Sequence, residues 1–253
     1  MLLVSELSKS FGGLNALKDV SFDVAPAEIK AVIGPNGAGK TTLFNIIAGT
    51  LRATSGSIAM DGTEISGKTA AAIGMAGIAR TFQQPQVFTS LTVMENVMLG
   101  ANRFHKCGML ASGLGLGSAR RAEQDLHEMA EKWLAFVGLN DVFQRQACEL
   151  PLGQQKYVEI ARAMATGSRV LLMDEPAAGL DDTETGELGE LIARIRGTGM
   201  TVLLIDHHID FVMSLADSVL VLNFGQWLAE GTPDEIRNSQ AVIDAYLGST
   251  EDA

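Results

Sequence analysis

The run Gly34-Pro35-Asn36-Gly37-Ala38-Gly39-Lys40-Thr41 has the spacing G-x-x-x-x-G-K-[ST], which suits a loop that holds phosphate. Glycines let successive backbone amides curl round an anion, and a helix that opens where the loop ends adds a partial positive charge. Lys40 can then reach the β- and γ-phosphates of a nucleotide, the Thr41 hydroxyl can ligate Mg²⁺, and Thr42 beside it is a candidate nucleotide contact. A Gly-rich turn ahead of an ordinary helix is the plainer reading. The apolar run Ile29–Ile33 directly before the loop supplies the strand that the phosphate reading requires.

A second pattern is Val170-Leu171-Leu172-Met173-Asp174-Glu175-Pro176. Four apolar residues followed by two carboxylates put Asp174 and Glu175 at the C-terminal end of a buried strand, where open α/β sheets bind ligands. Asp174 can hold the shell of a Mg²⁺ ion, and Glu175 can polarise an attacking water. Standing alone, the pair would be an acidic turn. Beside a phosphate loop, it supplies the second half of a phosphoryl-transfer site.

These residues need a scaffold, and the chain alternates accordingly. Residues 2–7, 20–24, 29–33 and 58–60 read as strands separated by Gly12-Gly13, Pro26 and Ser55-Gly56-Ser57, and a helix is predicted from Lys40 to about residue 49. From about Val93 the sequence turns helical. Residues 119–137 place Leu126, Met129, Ala130, Trp133, Leu134 and Val137 at spacings of 3 and 4. The Gly-rich yet apolar segment 107–118 reads as an ordered surface insertion. Beyond Pro151, a helix at 154–164, a strand at 170–173, a helix at 183–196 and a strand at 201–205 follow in turn. Continuous apolar strands of this kind are covered on both faces of a mainly parallel sheet.

The 253 residues carry 19 Lys+Arg against 30 Asp+Glu, a net charge of −11. That acidic balance gives nucleic acid no electrostatic footprint, so no nucleic-acid partner is expected. Cys107 and Cys148 make no disulfide framework and suit a reducing compartment. No apolar run reaches the roughly 20 residues of a membrane span, and residues 1–6 lack the features of a signal peptide. Work at a membrane is therefore expected from the cytoplasmic side, through a partner.

Leu150-Pro151-Leu152-Gly153-Gln154-Gln155 stands before a predicted helix and the carboxylate strand. In this order with the phosphate loop, it resembles the signature of the ATP-binding cassette family, usually Leu-Ser-Gly-Gly-Gln, and the resemblance extends over essentially the whole chain. It implies an α/β fold: a P-loop NTPase (RecA-like) core with a mainly parallel sheet, an N-terminal antiparallel β subdomain and an inserted α-helical subdomain. The expected division of one domain, 1–253, is 1–85 and 155–230 for the core, 86–154 for the helical insertion and 231–253 for a C-terminal helical tail. Phe11 matches the family's aromatic that stacks on adenine, and Gln83 the glutamine that touches Mg²⁺ or water, with Gln84 adjacent as an alternative. Asp181 matches the loop that crosses the dimer interface, and His207 the histidine that contacts the γ-phosphate.

Pro151 replaces the signature serine, which removes a hydroxyl and implies slower turnover. Leu152, Gly153 and Gln154 are expected to keep the anion contact. His208 is an oddity, expected to cap the helix after it. The resemblance further implies ATP and Mg²⁺ as ligands, and ATP hydrolysis with Lys40, Gln83, Glu175 and His207 as the catalytic set. Each ATP would be enclosed between the phosphate loop of one chain and the signature of a second, in a homodimer or a heterodimer with a paralogue. Membrane-spanning permease subunits and, indirectly, an external solute-binding protein are the other implied partners, placing the chain peripherally at the cytoplasmic face of the cell membrane. Arg80-Thr81-Phe82-Gln83, 174–180 and the tail 231–248 resemble the branched-chain amino acid importer group, and the insertion near 105–120 resembles the longer of its two ATPases. A lipopolysaccharide-export-type ATPase and a soluble, non-transport cassette are the alternatives.

Overall fold

The computed structural model describes residues 1–102 and 117–247; most of the Gly-rich segment singled out above, 107–116, lies outside them. The chain divides into two compact units, Met1–Gln83 with Arg169–Ala253, and Gln84–Ser168.

The first unit holds two sheets. One is antiparallel, in the order β2 (Leu14–Val24), β1 (Leu2–Phe11), β4 (Ser55–Met60), β5 (Thr63–Glu64). The other runs β10 (Gln226–Gly231), β9 (Ser218–Asn223), β3 (Ile29–Ile33), β8 (Thr201–Ile205), β7 (Val170–Asp174), β6 (Ile78–Thr81). Its strands are parallel except β10, which returns antiparallel beside β9. All five residues of β3 and of β8 are buried, as sequences without alternation require of strands covered on both sides. Leu43, Phe44 and Ile47 of α1 (Lys40–Ile47) join Leu2, Val4, Val20, Leu203 and Leu220 in one apolar core.

β1 and β2 are longer than the runs 2–7 and 20–24 seen in the sequence. Irregularities in register between Val4 and Ser10 interrupt the apolar alternation on which the sequence reading relied, and Glu6 and Asp19 take φ of 48° and 51° there. The hairpin thus continues to Phe11 and Leu14, which pair across its turn. α6 (Asp182–Gly197) matches the helix expected at 183–196. It opens on a capping box, in which Asp181 accepts from the Glu184 N–H while the Glu184 carboxylate accepts from the Asp181 N–H. The shorter helices α2 (Ala70–Ala76), α7 (Ile209–Leu215), α8 (Pro233–Arg237) and α9 (Gln240–Leu247) complete the unit.

The second unit is built on α3 (Val93–Ala101), α4 (Gly117–Val137) and α5 (Leu152–Ala165), each packing on the other two. It begins at 84 and runs to 168, past the expected limit of 154, because α5 belongs with the helices and buries Val158, Ala161 and Met164 among them. Ala130, Leu134 and Val137 of α4 are buried at the predicted spacing, and Trp133 meets Phe136 edge-on at 5.7 Å. Gly100 lies where the α3 backbone passes very close to α5: a Cβ on it would stand 2.1 Å from the Arg162 carbonyl oxygen. The buried Asn96 amide donates to the carbonyls of Phe88, Leu91 and Thr92. Among the described residues, no helix is long and apolar enough to cross a membrane.

Candidate active site

Three parallel strands deliver the candidate residues from their C-terminal ends. β3 leads into the loop 34–39, β7 ends on Asp174 with Glu175 next, and β8 is followed by Asp206, His207 and His208. The register places Asp174 opposite Ile205, so these ends lie side by side. This is the edge at which an open α/β sheet presents a ligand site.

The loop turns through left-handed residues. Gly37 has φ 77° and Gly39, the N-cap of α1, has φ 97°. A Cβ at Gly39 would lie 2.5 Å from the Ala16 carbonyl oxygen, so only glycine brings the loop this close to β2. Lys40 folds back over the loop and donates to the carbonyls of Gly34 (2.6 Å) and Pro35 (3.0 Å). Burial holds the Lys40 ammonium below the ordinary lysine range, opposed in part by the Glu175 carboxylate. An incoming phosphate would restore the lost charge stabilisation.

Glu175 sits in the left-handed region with φ 46°, a conformation that a non-glycine residue keeps only where its surroundings impose it. Its N–H donates to the Ile205 carbonyl at 2.8 Å. Its side chain accepts from the Gln83 amide at 2.7 Å and lies 3.6 Å from His207 Nδ1. The choice between Gln83 and Gln84 is thereby resolved: Gln83 meets the carboxylate, and Gln84 begins the other unit. Asp174 pairs with Arg80 instead, whose guanidinium donates to it at 2.6 Å and to Asn45 Oδ1 at 2.7 Å.

A cleft of about 510 Å³ is lined by Phe11, Leu14, Asn15, Ala16, residues 36–42, Glu175 and Phe224. Phe11, Lys40, Thr41, Thr42 and Glu175 therefore share one space. Gly34 and Pro35 are not among its lining residues: their carbonyls hold Lys40, and the Gly34 N–H is bonded to the Tyr246 phenol oxygen, reaching in from α9. Burial raises the Tyr246 phenol above its ordinary range, offset in part by that N–H. Thr41, Asp174 and Gln83 each carry a hard oxygen donor of the kind Mg²⁺ takes; Thr41 lines the cleft, while Asp174 and Gln83 are engaged by Arg80 and Glu175.

Some expectations are revised. His208 does occupy the N-cap position of α7, but its side chain makes no capping bond. Its Nδ1 lies 2.9 Å from Asp206 Oδ1, and its N–H donates to the same oxygen. The wholly buried Asp206 also accepts from the Ala177 N–H, bracing the loop after Glu175 against β8. Asp181 spends its side chain as the α6 cap. Pro151 is the N-cap of α5, with no side-chain cap. Leu152, Gly153 and Gln154 open that helix in the second unit, with Leu152 exposed and Gly153 buried.

Sequence reasoning missed Arg80, Asp206, Phe224 and Tyr246. Arg80 carried a signal, a cation in a strand facing a protein interior. The tyrosine carried none, since its partner is distant in the chain.

Residues 17–178 match the family described as ABC transporter, and residues 228–252 match the family described as branched-chain amino acid ATP-binding cassette transporter. The chain is 43% identical over 249 residues to the high-affinity branched-chain amino acid transport ATP-binding protein BraF of Pseudomonas aeruginosa, with 98% of each chain covered. The likeness to LivG of Escherichia coli K12, which has the same description, is equal in identity and coverage. Among solved structures, the chain is similar to an ATP-binding cassette of an ABC transporter in its ADP conformation, with a TM-score of 0.85, 34% identity and 98% of each chain covered.

Proposed function

The chain belongs to the ATP-binding cassette transporter family, and from that premise we propose that it is the ATP-hydrolysing motor of an importer for branched-chain amino acids or related small polar solutes. It binds the permease subunits of that importer at the cytoplasmic face of the cell membrane and acts with a second cassette chain. The observation that carries the ATPase part is the cleft in which Lys40 and Glu175 face one space below the phosphate loop. The importer part is supported by the match of the tail 228–252 together with the near full-length likeness to BraF and LivG.

The residues divide the work. Amides of the loop and the Lys40 ammonium hold the β- and γ-phosphates. Thr41, Asp174 and Gln83 would hold Mg²⁺, which would supply charge neutralisation to the phosphates. Glu175 accepts the proton of the water whose oxygen attacks the γ-phosphorus, while the bond from that phosphorus to the bridging oxygen breaks and ADP keeps the electron pair. The Gln83 amide fixes the carboxylate that takes the proton, and His207 stands beside it to meet the γ-phosphate. Phe11 packs on the base. Leu152, Gly153 and Gln154 of a second chain cover the phosphate from the other side, with Asp181 in the loop between the two chains.

Glu175→Gln tests this directly. A general base contributes about 10²–10⁴ in rate, so phosphate release should fall by at least about a hundredfold while ATP affinity stays at the wild-type level. In a strain lacking the chain, wild type should restore uptake of labelled leucine, and the variant should not. Uptake that never depends on the chain would overturn the importer reading while leaving the ATPase.

A further inference from the structure

The turn between β9 and β10 departs from the residue preference of its own geometry. Asn223 pairs with Gln226, so the loop is two residues, Phe224 and Gly225, with φ of 46° and 75°. Two left-handed residues in a two-residue hairpin are the pattern of a type I′ turn, whose first position favours Asn, Asp or Gly. A bulky aromatic in that conformation is strained. The residue is also 83% exposed, more than any other large apolar residue among those described. Neither turn chemistry nor burial accounts for a phenylalanine here.

The turn is also held firmly. The Gly225 N–H donates to the Ala38 carbonyl within the phosphate loop at 3.2 Å, and the Lys18 N–H donates to the Gly225 carbonyl at 2.8 Å. A Cβ at Gly225 would lie 2.6 Å from the Ala16 carbonyl oxygen. The backbone that carries Phe224 is thus tied to the loop that would hold phosphate, and the ring lines the same cleft as Phe11 and Lys40.

We propose that Phe224 is a second base-binding residue, whose ring, with that of Phe11, forms the apolar surface on which the nucleotide base packs. The inference rests on the nucleotide-binding reading above and extends it to a residue outside the phosphate loop. Strain that persists at a site is accounted for when the site uses the strained side chain. Packing of a base on an aromatic face tolerates any base, so Phe224 favours nucleotides over bare polyphosphate without separating adenine from guanine.

The test uses the full chain carrying Phe224→Asn, a residue that suits the turn, with calorimetric titration of ADP, GDP and inorganic tripolyphosphate in Mg²⁺ buffer. Loss of a stacking partner should weaken ADP and GDP alike by about five- to tenfold, the low end of aromatic–base stacking. Tripolyphosphate affinity should stay unchanged, and Tm should rise as the turn relaxes. Phe224→Tyr should restore wild-type nucleotide affinity. Unchanged ADP affinity in the asparagine variant overturns the proposal alone, and an equal loss for tripolyphosphate overturns it in favour of a purely structural turn. A wild-type chain that binds neither ligand overturns the nucleotide reading, and this inference with it.

Discussion

Arg80 holds Asp174, the carboxylate proposed above as a Mg²⁺ ligand. Its guanidinium and Asp174 are 10% and 13% exposed, so the pair is close to buried, and each charge depends on the other. Breaking such a pair from one side costs about 3–5 kcal/mol because the remaining charge is stranded. With Asp174 keeping a little solvent, Arg80→Ala should lose about 3 kcal/mol in urea unfolding, and Mg²⁺ should recover part of that loss in the variant while leaving wild type unmoved. An equal response of both proteins to Mg²⁺ would refute the account. The contiguous motifs made Lys40, Thr41, Asp174 and Glu175 legible in the sequence, because a loop and a strand end each place their own residues. Arg80 with Asp174, and Gln83 with Glu175, meet across more than ninety positions. Only the neighbouring of β6 and β7 brings them together.

At the scale of elements, α3 and α5 cross where Gly100 has no side chain. On helix propensity alone, Gly100→Ala would stabilise α3 by about 1 kcal/mol. The new Cβ would stand 2.1 Å from the Arg162 carbonyl oxygen, and backbone cannot swing aside as a side-chain tip can. Overpacking of this kind costs about 3 kcal/mol, so the clash outweighs the propensity gain by about 2 kcal/mol. A fall in Tm of about 4–8 °C follows for a chain of this size, measured by calorimetry; a rise would show that the helices separate freely. The helices themselves were legible from apolar spacing and, for α6, from its acidic opening turn. Their limits were not: the α/β alternation that resumes after Pro151 suggests the core for α5, whereas packing on α3 and α4 puts it in the second unit. β1 was cut short because irregular pairing hides its alternation.

The whole molecule holds one phosphate loop, in the first unit, and one signature segment, in the second. A site that needs both in trans exists only when two chains meet. Charge supplied in trans to a transferring phosphoryl group raises rates by about 10³–10⁵ where an arginine does so. Phosphate release per chain should therefore climb with protein concentration and level off as dimers fill. A rate per chain that is flat across a hundredfold dilution would mean that one chain suffices. The expected pairing is read from motif order, since the loop and the signature occur once each; the bracing within each half has no such signal.

The hydrogen bond between Tyr246 and Gly34 carries a consequence for biosynthesis. The first glycine of the phosphate loop is made more than two hundred residues before its tyrosine partner. Until residue 246 has been made, the Gly34 N–H lacks that partner, although β8 and β9, between which β3 pairs, already exist by then. The phosphate loop is therefore anchored only once α9 has been made, and a nascent or clipped chain ending before residue 246 presents a phosphate loop without that anchor.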